Sequence, residues 1–283
     1  MNSIYLKPED RDYPRKLLEH LQDPQPIYYV GRRELFDAKS IAIVGSRNCT
    51  AYGKAVARSL AKRAAEYGVT VISGLAYGID GEAHKGVLEE GGDTIGVIAN
   101  GIRVYYPKSH RELQDHIKGK GLLVSEYEDS AEAKPYTFPR RNRLITALAD
   151  AVVIVEAATR SGALITAESA AEQGKLLYSV PGNITSKASI GTNKLIRDGV
   201  MSLVFFDDLF RDLGFDSIEK DSKLGGLGED EVSVMKALSS GGNLSIEDIV
   251  KATGLSPKTV NGILTVLEMK NLIAVEMGRA IVL

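Results

Sequence analysis

The sequence predicts an α/β protein, with a doubly wound, mostly parallel sheet, a short N-terminal extension and a small C-terminal winged-helix domain. From residue 40 onward, short apolar runs alternate with helical segments, which is the order of parallel strands joined by crossover helices. The runs lack polar/apolar alternation, as expected of strands covered on both faces. A glycine-rich stretch then precedes three helical segments and a hairpin-like run, which indicates a separate small domain.

The chain divides into four predicted segments. Residues 1–39 form an extension that packs on the core, with one helix over residues 15–21. Residues 40–213 form a Rossmann-like domain, 214–228 a flexible linker and 229–283 the winged-helix domain. In the Rossmann-like domain we expect strands at 40–45, 69–74, 93–99, 121–126, 151–155 and 176–180, helices at 50–67, 81–90 and 108–117, and a small-residue helix starting at Ser161-Gly162.

The composition is that of a globular protein, with 283 residues, of which 44% are hydrophobic and 25% charged. A single cysteine, Cys49, excludes an intrachain disulfide framework and a thiolate zinc site, and suits a reducing cytoplasm. Apolar runs fall short of membrane-spanning length, so we expect a cytoplasmic protein without membrane insertion. The formal net charge of −2 means that any nucleic-acid site must be a local basic patch.

Small or basic residues follow the predicted strands, where the carboxyl ends of a parallel sheet bind ligands at a switch point. Glycine at a strand-to-helix turn lets backbone N–H groups approach a phosphate closely. The residues at these ends are Gly45, Ser46, Arg47, Ser73, Gly74, Ser161 and Gly162.

Three arginines, Arg140, Arg141 and Arg143, precede the fifth predicted strand of the domain. Positive charge at the start of a helix opposes the helix dipole, so the cluster favours an anionic ligand. The planar guanidinium can bind two phosphate oxygens at once. Tyr136 and Phe138 offer faces on which bases could stack. The cluster therefore predicts a phosphate-binding ledge.

Familiar nucleotide and metal motifs are absent from the sequence. Seven residues separate Gly45 from Gly53-Lys54, whereas a P-loop requires four, and no G-x-G-x-x-G run follows a strand. The scattered histidines lack zinc-ligand spacing. Asp80 is expected to cap a helix, and His84 to orient a loop by hydrogen bonding. We therefore expect no cofactor, no metal and no enzymatic activity.

Several motifs occur in order: IVGSRNCTAYG, SGLAYGID, AHKGVL, YYPKSH, PRRNRLI, SGALITAESAAEQGK, VPG and SIGTNKLI. Over residues 13–199 the chain resembles the DNA-processing protein A (DprA/Smf) family. The resemblance implies a homodimer that binds and protects single-stranded DNA and loads a RecA-type recombinase in natural transformation or recombination. It adds Asn142, Thr166, Lys175 and Lys194 to the predicted DNA-binding residues, and residues 192–213 as dimer contacts.

The chain departs from the family pattern at two places. Residues 98–101 read Ile-Ala-Asn-Gly where a Leu-Gly-Xaa-Gly turn is expected. Residues 127–129 read Tyr-Glu-Asp where proline and glycine are common, and the acidic side chains there oppose DNA binding by this loop.

Two other functions remain open from the sequence. One is a nucleoside-monophosphate phosphoribohydrolase of the LOG (lysine-decarboxylase-like) type, in which Glu168 would take the register of the catalytic glutamate. The other is a mononucleotide sensor with the C-terminal domain as its output.

The C-terminal domain carries five basic and seven acidic side chains, which disfavours duplex binding and favours an accessory or protein-contact role.

Overall fold

The computed structural model describes residues 3–216, 228–269, 272–276 and 278–282. The chain forms two compact units, Met1–Ser217 (the core unit) and Ile218–Leu283 (the winged-helix unit). Most of the predicted linker, residues 214–228, lies outside the described residues, as does Lys270 at the end of the third predicted helix of the small domain.

The described part of the core unit contains one nine-stranded sheet, in the order β1-β2-β6-β5-β4-β3-β7-β8-β9. The pairs from β6 through β9 are parallel, whereas β1 and β2 pair antiparallel. This confirms the predicted doubly wound, mostly parallel sheet. The strands are β1 Ile4–Leu6, β2 Ile27–Gly31, β3 Ser40–Val44, β4 Thr70–Ser73, β5 Thr94–Val97, β6 Leu122–Ser125, β7 Ala151–Ile154, β8 Leu176–Ser179 and β9 Met201–Ser202.

Helices cover both faces of this sheet. Ile41 and Ile43 of β3 pack with the second and third helices on one face, and Ala42 and Val44 pack with the fifth and sixth on the other. Successive side chains of this buried strand thus point to opposite faces of the sheet, and the side chains on both faces are apolar. The helices are α1 Arg15–His20, α2 Ala51–Glu66, α3 Ile79–Glu89, α4 Arg111–Lys120, α5 Thr137–Leu148, α6 Gly162–Glu172, α7 Ile190–Arg197 and α8 Phe206–Asp212.

The N-terminal extension is part of the sheet. Besides α1 it contributes β1 and β2, and β2 pairs antiparallel with β6. The sequence predicted the helix but not β1, because a strand of three residues with an exposed, exposed, buried pattern carries no periodic signal.

α5 begins earlier than the sequence predicted. The arginine cluster was expected to open a helix, whereas the helix starts at Thr137, three residues before Arg140, and includes all three clustered arginines. Pro139 is tolerated because the N–H groups of a first turn have no partner within the helix.

The winged-helix unit has the predicted three helices and a β-hairpin. Ser245 begins the second helix with a capping box to Asp248, and Gly254 ends it in the left-handed conformation. The hairpin pairs with a short strand that the sequence did not predict. The elements are α9 Glu229–Gly241, β10 Leu244–Ser245, α10 Ile246–Thr253, α11 Pro257–Met269, β11 Ile273–Glu276 and β12 Arg279–Val282.

Replacement of Phe210 by alanine is expected to destabilise the core unit. The Phe210 ring is fully buried and stacks on Tyr67 of α2, with 4.3 Å between ring centroids. Loss of this ring leaves a cavity, so the free energy of unfolding, measured by urea denaturation, should fall by about 3–5 kcal/mol. Ile184→Ala is the control, because Ile184 is 88% exposed and its loss should change little. A loss below about 1 kcal/mol for Phe210→Ala would contradict this view of the core.

Candidate nucleic-acid interface

A cleft of about 750 Å³ opens at the carboxyl edge of the sheet, above β3, β4 and β7. The chain order reverses here, because β4 lies on one side of β3 and β7 on the other. Open α/β sheets leave a crevice for ligands at such a switch point. The sequence-predicted residues that line this cleft are Gly45, Ser46, Arg47, Arg141, Asn142, Ser161, Gly162 and Thr166.

The turn after β3 is held tightly and presents Arg47 to solvent. A Cβ atom at Gly45 would lie 2.6 Å from the Ile79 side chain and 3.1 Å from the Glu156 carbonyl oxygen, so the turn favours glycine. The Ser46 N–H donates to the Glu156 carbonyl at 2.8 Å. The exposed guanidinium of Arg47 lies over the Phe138 ring, 4.5 Å from its centroid.

Aromatic side chains form one wall of the cleft. The ring of Phe138, in the first turn of α5, lies 5.4 Å from that of Tyr106. Tyr106 is 42% exposed, and Tyr136, just before α5, is also exposed. Exposed rings beside cations are the features on which single-strand binders stack bases.

Arg141 points into the protein, not into solvent. Its guanidinium donates to the carbonyl groups of Gly74 and Val97, at the ends of β4 and β5, and the side chain lies beside the buried carboxyl group of Asp80. Burial lowers the pKa of Arg141 to about 10, although Asp80 acts in the opposite direction. A Cβ atom at Gly74 would overlap both side chains. The predicted phosphate-binding roles of Arg141 and Gly74 are thus corrected, because both build the interior behind the cleft.

Arg140 and Arg143 are three residues apart on α5 and share a face of the helix that Arg141 does not. Arg143 forms an ion pair with Glu126, whose side chain is 6% exposed. Arg140 is exposed and lines a second cavity beyond α5. Successive helix residues point about 100° apart, whereas residues three apart lie on the same face, so Arg141 faces away from Arg140 and Arg143. The predicted cluster is therefore corrected: Arg141 lies in the interior, and Arg140 and Arg143 lie on another face of α5, close to Glu126.

The start of α6 forms the opposite wall. Ser161 caps the helix by accepting from the Ala163 N–H at 3.3 Å. The Asn142 side-chain amide donates to the Gly162 carbonyl at 3.4 Å and so links α5 to α6. Gly162 is exposed, and the Thr166 hydroxyl donates to the same carbonyl at 3.4 Å.

Ser73, Lys175 and Lys194 do not line the cleft. The buried Ser73 hydroxyl donates to the Ile43 carbonyl at 2.6 Å and joins β4 to β3. Lys175 precedes β8 and therefore lies at the amino edge of the sheet, where it donates to the Ala147 carbonyl and burial lowers its pKa to about 8. Lys194 is exposed on α7. For Ser73 and Lys175 the predicted phosphate contact is corrected, because their polar atoms bind backbone carbonyls elsewhere.

Most arginines of the core unit are ion-paired, but those around the cleft are not. Among described residues 3–216, the arginines with no ion pair within 4.0 Å are Arg11, Arg47, Arg140, Arg141 and Arg160. Arg160 is exposed, lines the cleft and was missed by sequence reasoning, although its place after β7 was a usable signal. Of these five, Arg47 and Arg160 are exposed at the cleft, and they give the local positive patch that net charge hides.

Two α3 residues behind the cleft differ from their predicted roles. The helix begins at Ile79 with Gly78 as its N-cap, so Asp80 is not the cap; its carboxylate accepts from the Ala76 N–H at 3.4 Å in the preceding turn. His84 does not orient a loop but lies 2.7 Å from the Thr94 hydroxyl on β5.

The tautomer of His84 follows from these bonds. The Thr94 hydroxyl donates to the Val71 carbonyl, so it must accept from Nδ1–H of His84. Nε2 is buried and has no partner among the described residues. Burial, and to a lesser extent the neighbouring His110, lowers the pKa of His84 to about 3.

The phosphoribohydrolase alternative finds no support at the cleft. Glu168 is exposed on α6 and does not line it. Within the described residues, no group of three or more histidine, cysteine or acidic side chains could hold a metal ion. The described helices also include none long and apolar enough to cross a membrane.

The fold and the cleft together define a doubly wound α/β protein with an arginine- and aromatic-lined switch-point site and a winged-helix unit. The family model for DNA recombination-mediator protein A matches residues 4–214, and that for the DprA winged helix domain matches residues 219–279. The chain belongs to the DNA recombination-mediator protein A (DprA/Smf) family, which confirms the resemblance.

Curated relatives support this assignment. The DprA protein of Streptococcus pneumoniae is 38% identical over 208 residues, covering 73% of each protein. That of Mycobacterium tuberculosis (strain H37Rv) is 39% identical over 247 residues, covering 85% of this chain. The chain thus spans 64% of the length of the mycobacterial relative.

Two solved structures share the fold. DprA from Streptococcus pneumoniae has a TM-score of 0.71 at 35% identity, over 76% of this chain and 75% of that one. DNA processing protein A from Helicobacter pylori, described for its single-stranded DNA binding mode, has a TM-score of 0.66 at 31% identity, over 74% of this chain and 95% of that one.

The lowered pKa of His84 predicts acid destabilisation. The unfolded state binds a proton near pH 6.5 and the folded state only near pH 3, so the stability that neutral His84 contributes is present above pH 6.5 and lost as pH falls toward 3. His84→Asn keeps a donor to Thr94 but cannot titrate. Urea denaturation over this pH range should show a shallower decline for the variant. Equal slopes would contradict the assignment.

Proposed function

We propose that this protein binds single-stranded DNA in the cleft at the carboxyl edge and acts there as a binding protein, not as an enzyme. The observation that carries the proposal is Arg47, an exposed guanidinium without a carboxylate partner that is held over the Phe138 ring. A cation and an aromatic face at one position suit a phosphate and the adjacent base. The single-stranded DNA binding mode described for the Helicobacter pylori relative supports the same ligand.

Each wall of the cleft has a role in this proposal. Arg47 and Arg160 bind phosphates, and Phe138 and Tyr106 stack on bases. Asn142, at the junction of α5 and α6, lines the cleft and supplies a polar group for a base edge. Because most of these contacts are to the phosphate backbone and to ring faces, binding within the cleft itself should depend little on sequence.

Family membership supports a wider role for the bound strand. We infer that the protein protects single-stranded DNA and loads a RecA-type recombinase on it during natural transformation or recombination. Such a role places it in the cytoplasm. The mononucleotide-sensor alternative uses the same cleft. A competition experiment with AMP distinguishes it from the proposed binding of single-stranded DNA.

A second copy of the chain is the partner proposed for the edge strand β9. Met201, Val204 and Phe205 expose apolar side chains there, and Phe205 is 68% exposed. An unpaired sheet edge with apolar neighbours is a ready template for association. This surface lies within the predicted dimer segment, residues 192–213, and supports a homodimer.

We propose that the winged-helix unit contacts another protein or has an accessory role, and that it does not bind duplex DNA. The exposed residues of α11 include one base, Lys258, and one acid, Glu268, and the others, such as Thr259, Asn261 and Thr265, are neutral. A helix that binds the major groove requires several cations for the phosphates beside it.

Arg47→Ala should weaken binding of single-stranded DNA. Loss of one charge-assisted phosphate contact should raise the Kd about tenfold or more. The slope of log K against log salt should become shallower by about 0.7. Fluorescence anisotropy with a labelled oligonucleotide over a salt series measures both.

Arg11→Ala is the matched control, because Arg11 is also exposed and free of an ion pair but does not line the cleft. Unlabelled single strand should compete, whereas duplex and AMP should not. Unchanged affinity in Arg47→Ala would sink the proposed site, and displacement by low concentrations of AMP would favour the sensor.

Phe205→Glu should convert the homodimer to monomer, because a charge would be buried at the proposed interface. Sedimentation velocity measures the mass in solution. Leu18→Glu, at an exposed position on α1, should leave the mass unchanged. A Phe205→Glu protein that still sediments as a dimer would place the interface elsewhere.

A further inference from the structure

A second cavity of about 320 Å³ lies beyond α5 from the cleft. Three tyrosines line it, Tyr5 of β1, Tyr28 of β2 and Tyr127 after β6. Its other polar lining residues are Gln25, Glu126, Glu128 and Arg140. Apart from Arg140, these residues are not among those that the sequence predicted to bind DNA.

Strand register places this cavity at the same edge of the sheet as the cleft. Tyr28 pairs with Ser125, the last residue of β6, and Tyr5 pairs with Tyr28. β6 is parallel to β5, so the carboxyl end of β6 lies at the carboxyl edge. Antiparallel β2 therefore presents its first residues there, next to the loop that follows β6.

The first turn of α5 separates the two sites. Pro139 lines the cleft, and the next residue, Arg140, lines the second cavity. Arg140 is exposed and forms no ion pair within 4.0 Å among the described residues. Neighbouring strands are about 5 Å apart, so β2 and β3 lie about 20 Å apart along this edge. A flexible DNA strand that leaves the cleft across α5 therefore meets Arg140 first and then the second cavity.

The lining suits a base better than a phosphate. The rings of Tyr5 and Tyr28 lie 4.9 Å apart at 44°, and Tyr5 is 45% exposed. Glu126 is neutralised by Arg143, but Glu128 is exposed and carries an unpaired carboxylate, which repels phosphate. The buried hydroxyl of Tyr127 has no hydrogen-bond partner among the described residues. Aromatic faces beside a free carboxylate acceptor match a nucleobase that donates hydrogen bonds.

We propose that this cavity is a second nucleobase subsite, which stacks a base on Tyr5 and Tyr28 and prefers bases with an exocyclic amino group. The proposal rests on the proposed function, since the strand must first occupy the cleft. Glu128 accepts a hydrogen bond from the amino group of cytosine or adenine, which thymine lacks. Arg140 binds the phosphate between the two sites.

The test compares the binding of labelled oligo-dC and oligo-dT by the 283-residue chain at neutral pH, measured by fluorescence anisotropy. Wild-type protein should bind oligo-dC about fivefold more tightly than oligo-dT. Glu128→Ala should bring this ratio close to one, whatever it does to overall affinity. Tyr5→Ala should weaken binding of both strands about five- to tenfold, because a stacking face is lost.

Tyr52→Ala is the matched control, since Tyr52 is 49% exposed on α2 and lines neither cavity; its binding should equal that of wild type. If Arg47→Ala weakens binding but Tyr5→Ala and Glu128→Ala leave both Kd values unchanged, the second subsite is overturned and the cleft stands. If neither strand binds wild-type protein, or if Arg47→Ala has no effect, the proposed function itself fails and the subsite with it.

Discussion

The buried guanidinium of Arg141 joins α5 to the ends of β4 and β5, and the geometry of the cleft depends on this contact. A buried charge is costly unless it is hydrogen-bonded and paired, and here two carbonyl groups and the neighbouring Asp80 meet that need. Glycine at position 74 leaves the room that both side chains occupy. Because α5 also carries Phe138 and Asn142, its attachment fixes two walls of the cleft at once.

A protein with a net charge of −2 can still hold a polyanion, because charge acts locally. Ion pairs neutralise most arginines of the core unit. For example, Arg63 pairs with Asp207, and Arg143 pairs with Glu126. At the cleft, Arg47 and Arg160 have no such partner among the described residues. Screening in salt confines the field of each charge to about 8–10 Å, so distant acidic side chains do not cancel this patch.

The N-terminal extension changes how far the carboxyl edge reaches. By pairing β2 with β6 it lengthens the sheet and adds Tyr5 and Tyr28 to the edge that already holds the cleft. A longer sheet edge allows a longer stretch of single-stranded DNA to be bound, which suits a protein proposed to protect single-stranded DNA.

The sequence alone determined the order of strands and helices, the winged-helix unit and the turns at Gly45 and Ser161-Gly162, because apolar periodicity and turn chemistry are local signals. It could not determine which way each arginine of α5 points, nor that the Lys175 ammonium group binds the Ala147 carbonyl. It also gave no sign that β1 joins the sheet. These outcomes depend on contacts between residues far apart in the chain, and only the tertiary structure brings such residues together.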